Sequence, residues 1–381
     1  MTTLNKAMNG LQVDSVAMTA APLEQPSPVR ILTTHAHELP AELLRSTSFL
    51  QTGKVWQGTR PAGIFKKSNL LRRALELKRA WKLFRQAPNF DAVITVGSLE
   101  GLAFAALQNL RRCRPVHVMY DCYWYAGSIL RNAWMRFCLR QVDCCAVWAS
   151  VEVERYAKAF GLARNKFRFV AHHHSLNDYA YQIADRGYVF TGGNSDRDYG
   201  FFFQAMRDLP VKCILATNRV DLLAGVDVPA NIQIVSVSAT DFRQLMAEAR
   251  VVVMPVRADL LRTAGQQSIL NAMYMGKAVI LTDPEGGRDY IEDGKTGLLV
   301  SQGYVEGLRA AIKEVWEHPD KARAMGGQAR AAAAKLTTER CNTEIWQLAW
   351  GLSALRSNRP RTIATPAPIA PTKANVSTEQ P

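Results

Sequence analysis

The 381-residue chain lacks any continuous apolar stretch of about 18 residues, so the sequence predicts no transmembrane helix. Residues 1–28 lack the basic start and the apolar core of a signal peptide, and we therefore expect no secretion by that route. No Gly-x-x-x-x-Gly-Lys-Ser/Thr sequence is present, which excludes a P-loop, since the Gly294-Lys-Thr segment precedes a predicted strand.

Cysteine pairs and acidic residues are also scarce. The seven cysteines form no Cys-x-x-Cys motif, and their odd number indicates reduced thiols of a cytoplasmic protein. The chain has only 33 Asp and Glu residues but 47 Lys and Arg residues, which gives a net charge of +14. That charge favours an anionic partner, which can be a nucleic acid, an anionic membrane or a phosphorylated substrate.

The chain does contain two successive sets of alternating strand and helix patterns. Continuous apolar strands separated by amphipathic helices indicate parallel sheets that are covered on both faces. Strands are predicted at Val29–Thr33, Ala92–Val96, Val116–Tyr120, Cys144–Ala149, Phe167–Ala171, Tyr188–Thr191, Cys213–Ala216, Ile232–Val235, Val251–Met254, Ala278–Leu281 and Gly297–Val300. Helices are predicted at 68–86, 100–111, 129–140, 151–160, 199–207, 240–249, 266–275, 303–317, 319–335 and 337–356.

These patterns divide the chain into two domains and three smaller segments. Residues 1–28 are predicted to be a disordered arm, and the Pro-rich residues 357–381 a disordered tail. The first domain is predicted at 29–180, the second at 185–335, and a last helix at 336–356. We find no internal sequence repeat.

The segment from Gly276 to Val300 carries the most specific pattern. It reads Gly-Lys-Ala-Val-Ile-Leu, then Gly286-Gly287, then Asp-Gly-Lys-Thr-Gly-Leu-Leu-Val, which indicates a buried strand, a Gly-rich loop and a tight turn into another strand. This order resembles the nucleotide-sugar-binding domain of retaining GT-B glycosyltransferases. The resemblance implies an α/β fold with two Rossmann-like domains facing a cleft, in which the first domain binds the acceptor, the second binds the donor, and the last helix crosses back to the first.

The resemblance implies a first donor-binding segment after the strand at Tyr188–Thr191. Gly192 and Gly193 would form a loop that approaches the diphosphate. Relatives usually place two cations here, whereas this chain has Asn194 at the position of the first and Arg197 near the second. Arg197 is therefore our candidate phosphate ligand, because a guanidinium can hold phosphate in a bidentate manner. The alternative is a tight turn with a solvated arginine.

A second implied donor-binding segment lies at the start of the helix 266–275. Gly265, Gln266, Gln267 and Ser268 would present the helix N-terminus to the diphosphate. Relatives carry two glutamates eight residues apart, and this chain has Thr263 and Asn271 in their place. Asn271 can still hydrogen-bond a ribose as a neutral group. The substitutions are also compatible with a protein that has lost activity.

The first domain offers Asp121, which follows the predicted strand Val116–Tyr120. The resemblance and its position favour a carboxylate that orients the sugar or the acceptor, and the alternative is an Asp that caps the next turn. His35 and His37 are predicted at the cleft edge, and the alternatives are contact with an acceptor and a solvated loop. His172, His173 and His174 invite a metal site, but consecutive residues of an extended segment point to alternate faces, so we expect no metal and no other cofactor.

Residues 60–86 hold nine Lys or Arg and one Glu, and they include Lys66, Lys67, Arg72, Arg73 and Trp81. Two interpretations stay open: a basic amphipathic helix that contacts an anionic membrane and an acceptor there, or a solvated helix packed on the sheet through an apolar stripe that includes Leu77 and Trp81. No helix-turn-helix, zinc-finger or RNP-like pattern accompanies the charge, so we expect no nucleic-acid partner.

Together these patterns and the resemblance predict a glycosyltransferase that uses a nucleotide-sugar as substrate. We expect a lipid-linked or saccharide acceptor in the assembly of cell-surface polysaccharide or glycolipid, and a cytoplasmic protein bound peripherally to the inner membrane face. The alternatives are a catalytically silent GT-B binding or scaffold protein and a sugar-nucleotide epimerase.

Overall fold

The computed structural model describes residues 29–35, 39–49, 69–125, 127–177, 179–257, 260–282 and 284–357. They form two parallel sheets of six strands each. The strands are β1 Ile31–Thr33, β2 Thr47–Phe49, β3 Ala92–Val96, β4 Val116–Tyr120, β5 Cys144–Val147, β6 Phe167–Phe169, β7 Val189–Gly192, β8 Cys213–Ala216, β9 Ile232–Val235, β10 Val251–Met254, β11 Ala278–Leu281 and β12 Leu298–Leu299. The α/β class predicted from the sequence is confirmed.

The helices connect the strands in chain order. They are α1 Ala41–Leu44, α2 Asn69–Gln86, α3 Leu99–Gln108, α4 Ile129–Leu139, α5 Ser150–Phe160, α6 Tyr199–Met206, α7 Ala239–Glu248, α8 Gln266–Tyr274, α9 Pro284–Gly287, α10 Val305–Glu317, α11 Pro319–Ala333 and α12 Thr338–Ser357. The first sheet has the order β2-β1-β3-β4-β5-β6, and the second has the order β12-β11-β10-β7-β8-β9.

Alternate residues of the first-sheet strands pack into different core layers. Val118 packs with α12, whereas its neighbour Met119 packs with α4 and α5. This follows from the strand geometry, because successive side chains point to opposite faces. The central strands are buried on both sides, which explains why they are continuously apolar.

The last helix, α12, packs on β3 and β4 of the first sheet. Its Trp346 is fully buried in the core of the first domain, and the indole Nε1 donates a hydrogen bond to Thr47 Oγ1 at 3.0 Å. The chain therefore returns to the domain where it began.

Helix α2 packs on the sheet, as in the second interpretation, but through only part of the apolar stripe. Ala80 and Leu83 are buried against the sheet, whereas Leu77 and Trp81 are about half exposed, at 49% and 51%. The apolar stripe is thus largely on the surface. The residues that pack against the sheet are Ala80 and Leu83, which lie three positions apart and therefore on the same face of the helix.

The segment at Gly286-Gly287, which was predicted to be a Gly-rich loop, is helical in the structure. Both glycines lie in the short helix α9, where a Cβ at Gly287 would come within 2.6 Å of Leu281 Cδ2 and 2.7 Å of Leu299 Cδ2. Gly287 therefore permits close packing of the helix on the sheet.

Several predictions lie outside the described residues. They concern the arm at 1–28, His37, the basic residues Lys66 and Lys67, and the tail beyond residue 357. The exact domain boundaries stay a prediction.

Candidate functional site

The two sheets face each other through the loops that follow their strands. Tyr125 and Trp148 follow β4 and β5 of the first sheet, and both make hydrogen bonds to residues that follow strands of the second sheet. The cleft is therefore lined by the carboxyl ends of both sets of parallel strands, which is where open α/β sheets bind ligands.

Arg197, the predicted phosphate ligand, is buried in this cleft with only 7% of its surface exposed. Nε donates to the Gly192 carbonyl at 3.2 Å and Nη1 to the Ser195 carbonyl at 3.0 Å, while Nη2 lies 3.8 Å from Met254 Sδ. Within the described ranges, no carboxylate forms an ion pair with it. Burial lowers the pKa of this guanidinium, which means that the site disfavours the bare cation.

Two glycines of the predicted donor site lie against this guanidinium. A Cβ at Gly193 would stand 3.2 Å from Arg197 Nη2, and one at Gly265 would stand 3.1 Å from the same atom. Both glycines have positive φ, +122° and +89°. Gly265 is the residue before α8, so Arg197 lies at a helix N-terminus, where the helix dipole also favours an anion.

Gly192 and Asn194 have mainly structural contacts. A Cβ at Gly192 would lie 2.6 Å from the Ala216 carbonyl, so this glycine is needed for packing within the sheet. The Asn194 side chain accepts hydrogen bonds from Thr217 Oγ1 at 3.0 Å and from the Asn218 N–H at 2.9 Å. Asn194 thus joins the loops that follow β7 and β8 at the edge of the cleft.

Thr263 lies at one of the two positions where the resemblance predicts a glutamate, and a glutamate from the first domain contacts it. Glu152 Oε1 accepts hydrogen bonds from the Thr263 N–H at 2.6 Å and from Thr263 Oγ1 at 2.8 Å. Its Oε2 accepts from the N–H groups of Trp148 at 2.9 Å and Ala149 at 3.2 Å. Gln266 in turn donates its side-chain amide to Thr263 Oγ1.

Asn271 lies at the second position where the resemblance predicts a glutamate. Its side chain binds Ser175, in the segment that connects the two domains. Asn271 Oδ1 accepts from the Ser175 N–H at 2.9 Å, and Nδ2 donates to Ser175 Oγ at 3.3 Å. Gln267 donates to the His173 carbonyl at 2.9 Å. Ser268, on the first turn of α8, is partly exposed.

A network of one buried arginine, an aspartate and two exposed tyrosines lies beside Arg197. Arg262 forms an ion pair with Asp196, and its Nη2 donates to Tyr125 Oη at 2.8 Å. The Tyr125 hydroxyl donates to Asp196 Oδ2 at 3.2 Å, and the guanidinium lies 5.1 Å from the ring centre of Tyr123. Because Asp196 is paired with Arg262, no carboxylate of the described residues forms an ion pair with Arg197.

Asp121 lies at the end of β4 with a φ of +55°, which is unusual for a residue with a side chain. Its Oδ1 accepts from Trp148 Nε1 at 3.0 Å. Burial raises the pKa of this carboxyl from its ordinary value, against the hydrogen bonds from Trp148 and Tyr123. Asp121 is thus a constrained, partly buried carboxyl at the cleft.

The three consecutive histidines diverge. His172 stacks on Trp148 with ring centres 4.5 Å apart, and His174 stacks on Tyr274 at 3.8 Å, while His173 Nδ1 lies 3.0 Å from Thr338 Oγ1. In the described part of the chain, no group of three or more His, Cys, Asp or Glu is placed to hold a metal ion.

The described part of the basic stretch includes Arg72, Arg73 and Trp81 on α2, and all three are exposed. Helix α4 lies on the same face of the first sheet, separated from α2 by α3. Its first residues, Ile129 and Leu130, are 89% and 82% exposed. No helix in the described ranges is both long and apolar enough to cross a membrane.

Sequence reasoning missed Glu152, Arg262, Asp196, Tyr123 and Tyr125. The Ser150-Val-Glu152 sequence after a strand is typical of a helix start with an acidic third position, which would have indicated the cap but not the contact with Thr263. Asp196 has a positive φ of +54°, which no local residue pattern indicates.

Comparisons with known proteins agree with this architecture. The family model described as "Glycosyl transferases group 1" matches residues 202–318. No curated protein sequence matches the chain.

Three solved structures illustrate the similarity in fold. Sucrose-phosphate synthase from Thermosynechococcus elongatus is 17% identical with a TM-score of 0.62, covering 81% of this chain and 84% of that one. HepE from Anabaena in complex with UDP-glucose is 14% identical with a TM-score of 0.58, covering 84% and 99%. The lipopolysaccharide outer core galactosyltransferase WaaB in its apo form is 11% identical with a TM-score of 0.53, covering 87% and 100%. The chain therefore has the GT-B fold of glycosyltransferases, and residues 202–318 match the group 1 glycosyl transferases.

Proposed function

We propose that this protein is a glycosyltransferase that moves a sugar from a nucleotide-diphosphate donor to an acceptor. The observation that carries the proposal is the buried Arg197 guanidinium, which no carboxylate pairs with among the described residues and which touches Gly193 and Gly265 at the N-terminus of α8. A cation and a helix N-terminus that meet in a buried cleft both favour an anion, and the bare site is disfavoured.

A diphosphate fits this site better than a carboxylate-bearing ligand. The two glycines leave room for the Arg197 guanidinium against the backbone at the start of α8, and a guanidinium can hold phosphate in a bidentate manner. HepE, which shares the fold, has been solved with UDP-glucose. We infer that the sugar lies between this site and Asp121, which would orient the sugar or the acceptor hydroxyl. Retention of the anomeric configuration is part of the proposal and rests on the resemblance described above.

The surface of the first domain supports a lipid-linked acceptor in polysaccharide or glycolipid assembly. Helix α4 lies between β4 and β5, so it begins at the carboxyl edge of the sheet, where the cleft opens. Exposed Ile129 and Leu130 at its start, together with Arg72, Arg73 and Trp81 on α2, combine apolar and basic groups on one face. Such a surface suits an anionic membrane, and we infer peripheral binding at its inner face.

A catalytically silent binding protein is the second candidate. The observation that favours it is that Thr263 and Asn271, at the positions where relatives carry glutamates, both use their side chains within the protein. Such a protein would bind nucleotide without turning over the sugar.

The test measures thermal stabilisation and sugar release with UDP-, GDP-, ADP- and TDP-sugars and with free UDP and GDP. A ligand at about 100 times its Kd raises the free energy of unfolding by about 2.7 kcal/mol.

Arg197→Met should weaken nucleotide binding by roughly 10- to 100-fold, because a charged hydrogen-bonded pair is lost. Arg323→Met, at an exposed position on α11, is the matched control. Stabilisation without sugar release or transfer would favour the silent protein, and no stabilisation by any nucleotide would refute both candidates.

A further inference from the structure

A pocket lies outside the cleft, where the segment that connects β6 to β7 meets α8 and α11. Its volume is about 580 Å³, within the range of about 300–1,000 Å³ that is typical of small-molecule sites. Tyr274 is the last residue of α8, whereas Arg197 lies at the start of that helix, so the nine residues of α8, or about 13 Å, separate the pocket from the donor site. The residues around the pocket include Asn177, Tyr179, Tyr181, Ile183, Tyr274 and Arg330.

Two tyrosine rings of the pocket are each covered on one face. The Arg243 guanidinium carbon lies 3.5 Å from the ring centre of Tyr179. His174 stacks on Tyr274, with ring centres 3.8 Å apart and ring planes 11° apart. Tyr181 packs against the same hydrophobic core as Tyr274. The neighbours therefore hold these rings in place, and a ligand can stack only on the faces that stay open.

A guanidinium lies among these rings. Arg330 is exposed on α11, and no carboxylate of the described residues forms an ion pair with it. Asp185, which follows Ile183 by two residues, is paired with Arg250 at 3.0 Å instead. Burial and Tyr274 raise the pKa of Tyr181, while Arg330 lowers it, so the two hydroxyls and the cation lie near one another. The pocket thus presents a positive charge beside tyrosine hydroxyls.

These groups suit a ligand that carries both hydroxyls and one oxyanion. The hydroxyls of the three tyrosines make no hydrogen bond to another residue in the part of the chain that the structure describes, so they are free to bind hydroxyl groups. A guanidinium binds phosphate or carboxylate in a bidentate manner. A pyranose ring has apolar C–H faces, which fit tyrosine rings, and a rim of hydroxyls. A purely apolar ligand would leave the polar groups of the pocket without partners.

We propose that this pocket is a second ligand site, which binds an anionic saccharide, that is, a pyranose that carries a phosphate or a carboxylate group. Arg330 holds the oxyanion, the rings of Tyr179 and Tyr274 pack on the sugar, and the Tyr181 hydroxyl binds a sugar hydroxyl. Because the walls come from the connecting segment, α8 and α11, the bound sugar contacts both the connecting segment and the second domain. The inference does not depend on the proposed function, since the site is separate from the cleft.

The first test titrates the full chain with simple sugars by isothermal titration calorimetry. The probes are methyl α-glucuronide, glucose 1-phosphate and the neutral methyl α-glucoside. We expect saturable binding of at least one charged sugar, and roughly 10-fold or more weaker binding of the neutral one, because the charged hydrogen bonds are lost. The tighter of the two charged probes identifies the preferred oxyanion. Failure of both charged sugars to bind, or equal affinity for the neutral one, would overturn the proposal.

The second test locates the bound sugar with variants. Arg330→Met should weaken binding of the charged sugar by roughly 10-fold or more, and Tyr181→Phe by roughly 5-fold. Arg323→Met, which removes an exposed arginine of the same helix, is the matched control and should bind as the wild type does.

Arg197→Met separates this site from the cleft. This variant should bind the charged sugar as the wild type does, and Arg330→Met should bind nucleotide as the wild type does. Wild-type affinity for the charged sugar in Arg330→Met, or loss of that affinity in Arg197→Met, would overturn the inference. A wild type that binds the charged sugar but no nucleotide would refute the proposed function alone.

Discussion

The carboxylate of Glu152 in the first domain accepts two hydrogen bonds from Thr263 in the second, one from its N–H at 2.6 Å and one from its hydroxyl at 2.8 Å. Glu152 is only 3% exposed, and its other oxygen caps the start of α5. A single buried side chain thus fixes a helix N-terminus and joins the two domains. It also brings a carboxylate to a position where the resemblance predicts a glutamate.

Replacing Glu152 by Gln should destabilise the protein by about 1–3 kcal/mol, because one amide N–H₂ must face an N–H donor and leave it unsatisfied. Donor binding should weaken as well, since Thr263 would hold Gln266 less firmly. Chemical denaturation and nucleotide titration measure both effects. Glu154→Gln, on the same helix with a largely exposed side chain, should change neither. Equal stability of the two variants would refute the interdomain role of Glu152.

Tyr125→Phe should weaken domain closure, because it removes the hydroxyl that accepts from Arg262 and donates to Asp196 while keeping the ring. We expect a loss of about 1 kcal/mol in the free energy of unfolding. A double-mutant cycle with Asp196→Asn measures whether the residues act together. Strictly additive effects would show that the hydroxyl and the carboxylate are not coupled.

His117 should make stability depend on pH. It is fully buried, with Nε2 2.8 Å from Thr95 Oγ1, and burial lowers its pKa to about 3 from the ordinary 6.5. Below about pH 6.5 the unfolded chain binds a proton that the folded protein refuses until about pH 3, so stability falls with falling pH.

His117→Gln should therefore flatten this dependence. Between about pH 6 and about pH 4, the wild type should lose about 1.4 kcal/mol more per pH unit than the variant. Urea denaturation across that range measures the difference. His318→Gln, which changes an exposed histidine, should run parallel to the wild type. Parallel curves for His117→Gln would show that His117 is charged in the folded protein.

The exposed face of α2 and α4 should bind anionic vesicles. Replacing Arg72 and Arg73 by Gln should weaken binding to phosphatidylglycerol vesicles by about 2 kcal/mol, or roughly 30-fold, and the loss should shrink at high salt. Ile129→Ser with Leu130→Ser should weaken binding at any salt concentration. Sedimentation with vesicles measures both. Leu355→Ser, exposed on α12, is the control. Undiminished binding by both double variants would leave α2 as a solvated helix.

The architecture was predictable where the local pattern is strong. β3, β4 and β11 have the predicted bounds, because buried parallel strands are continuously apolar. The strand Thr47–Phe49 was missed, since it is three residues long at a sheet edge and has one buried position. The apolar stripe of α2 does not pack as a whole, because Leu77 and Trp81 recur at helical spacing although both are about half exposed.

The site was predictable only in part. The Gly192-Gly193 sequence and Arg197 belong to one loop, so the sequence could indicate their proximity. The contact between Arg197 and Gly265 joins residues that are 68 positions apart in the sequence. The contact between Glu152 and Thr263 joins residues that are 111 positions apart. Such contacts depend on how strands are ordered and how the domains face each other, and no local pattern carries that information.

Helix α12 determines the order in which the two domains can complete their folding during synthesis. The face of the first sheet that carries Ile31 and Val118 is covered by Trp346 and its neighbours, which leave the ribosome only after the whole second domain. Domains generally fold as units in the order of their synthesis. Here the first domain keeps an apolar face open until the last helix arrives, so its completion waits for the second domain.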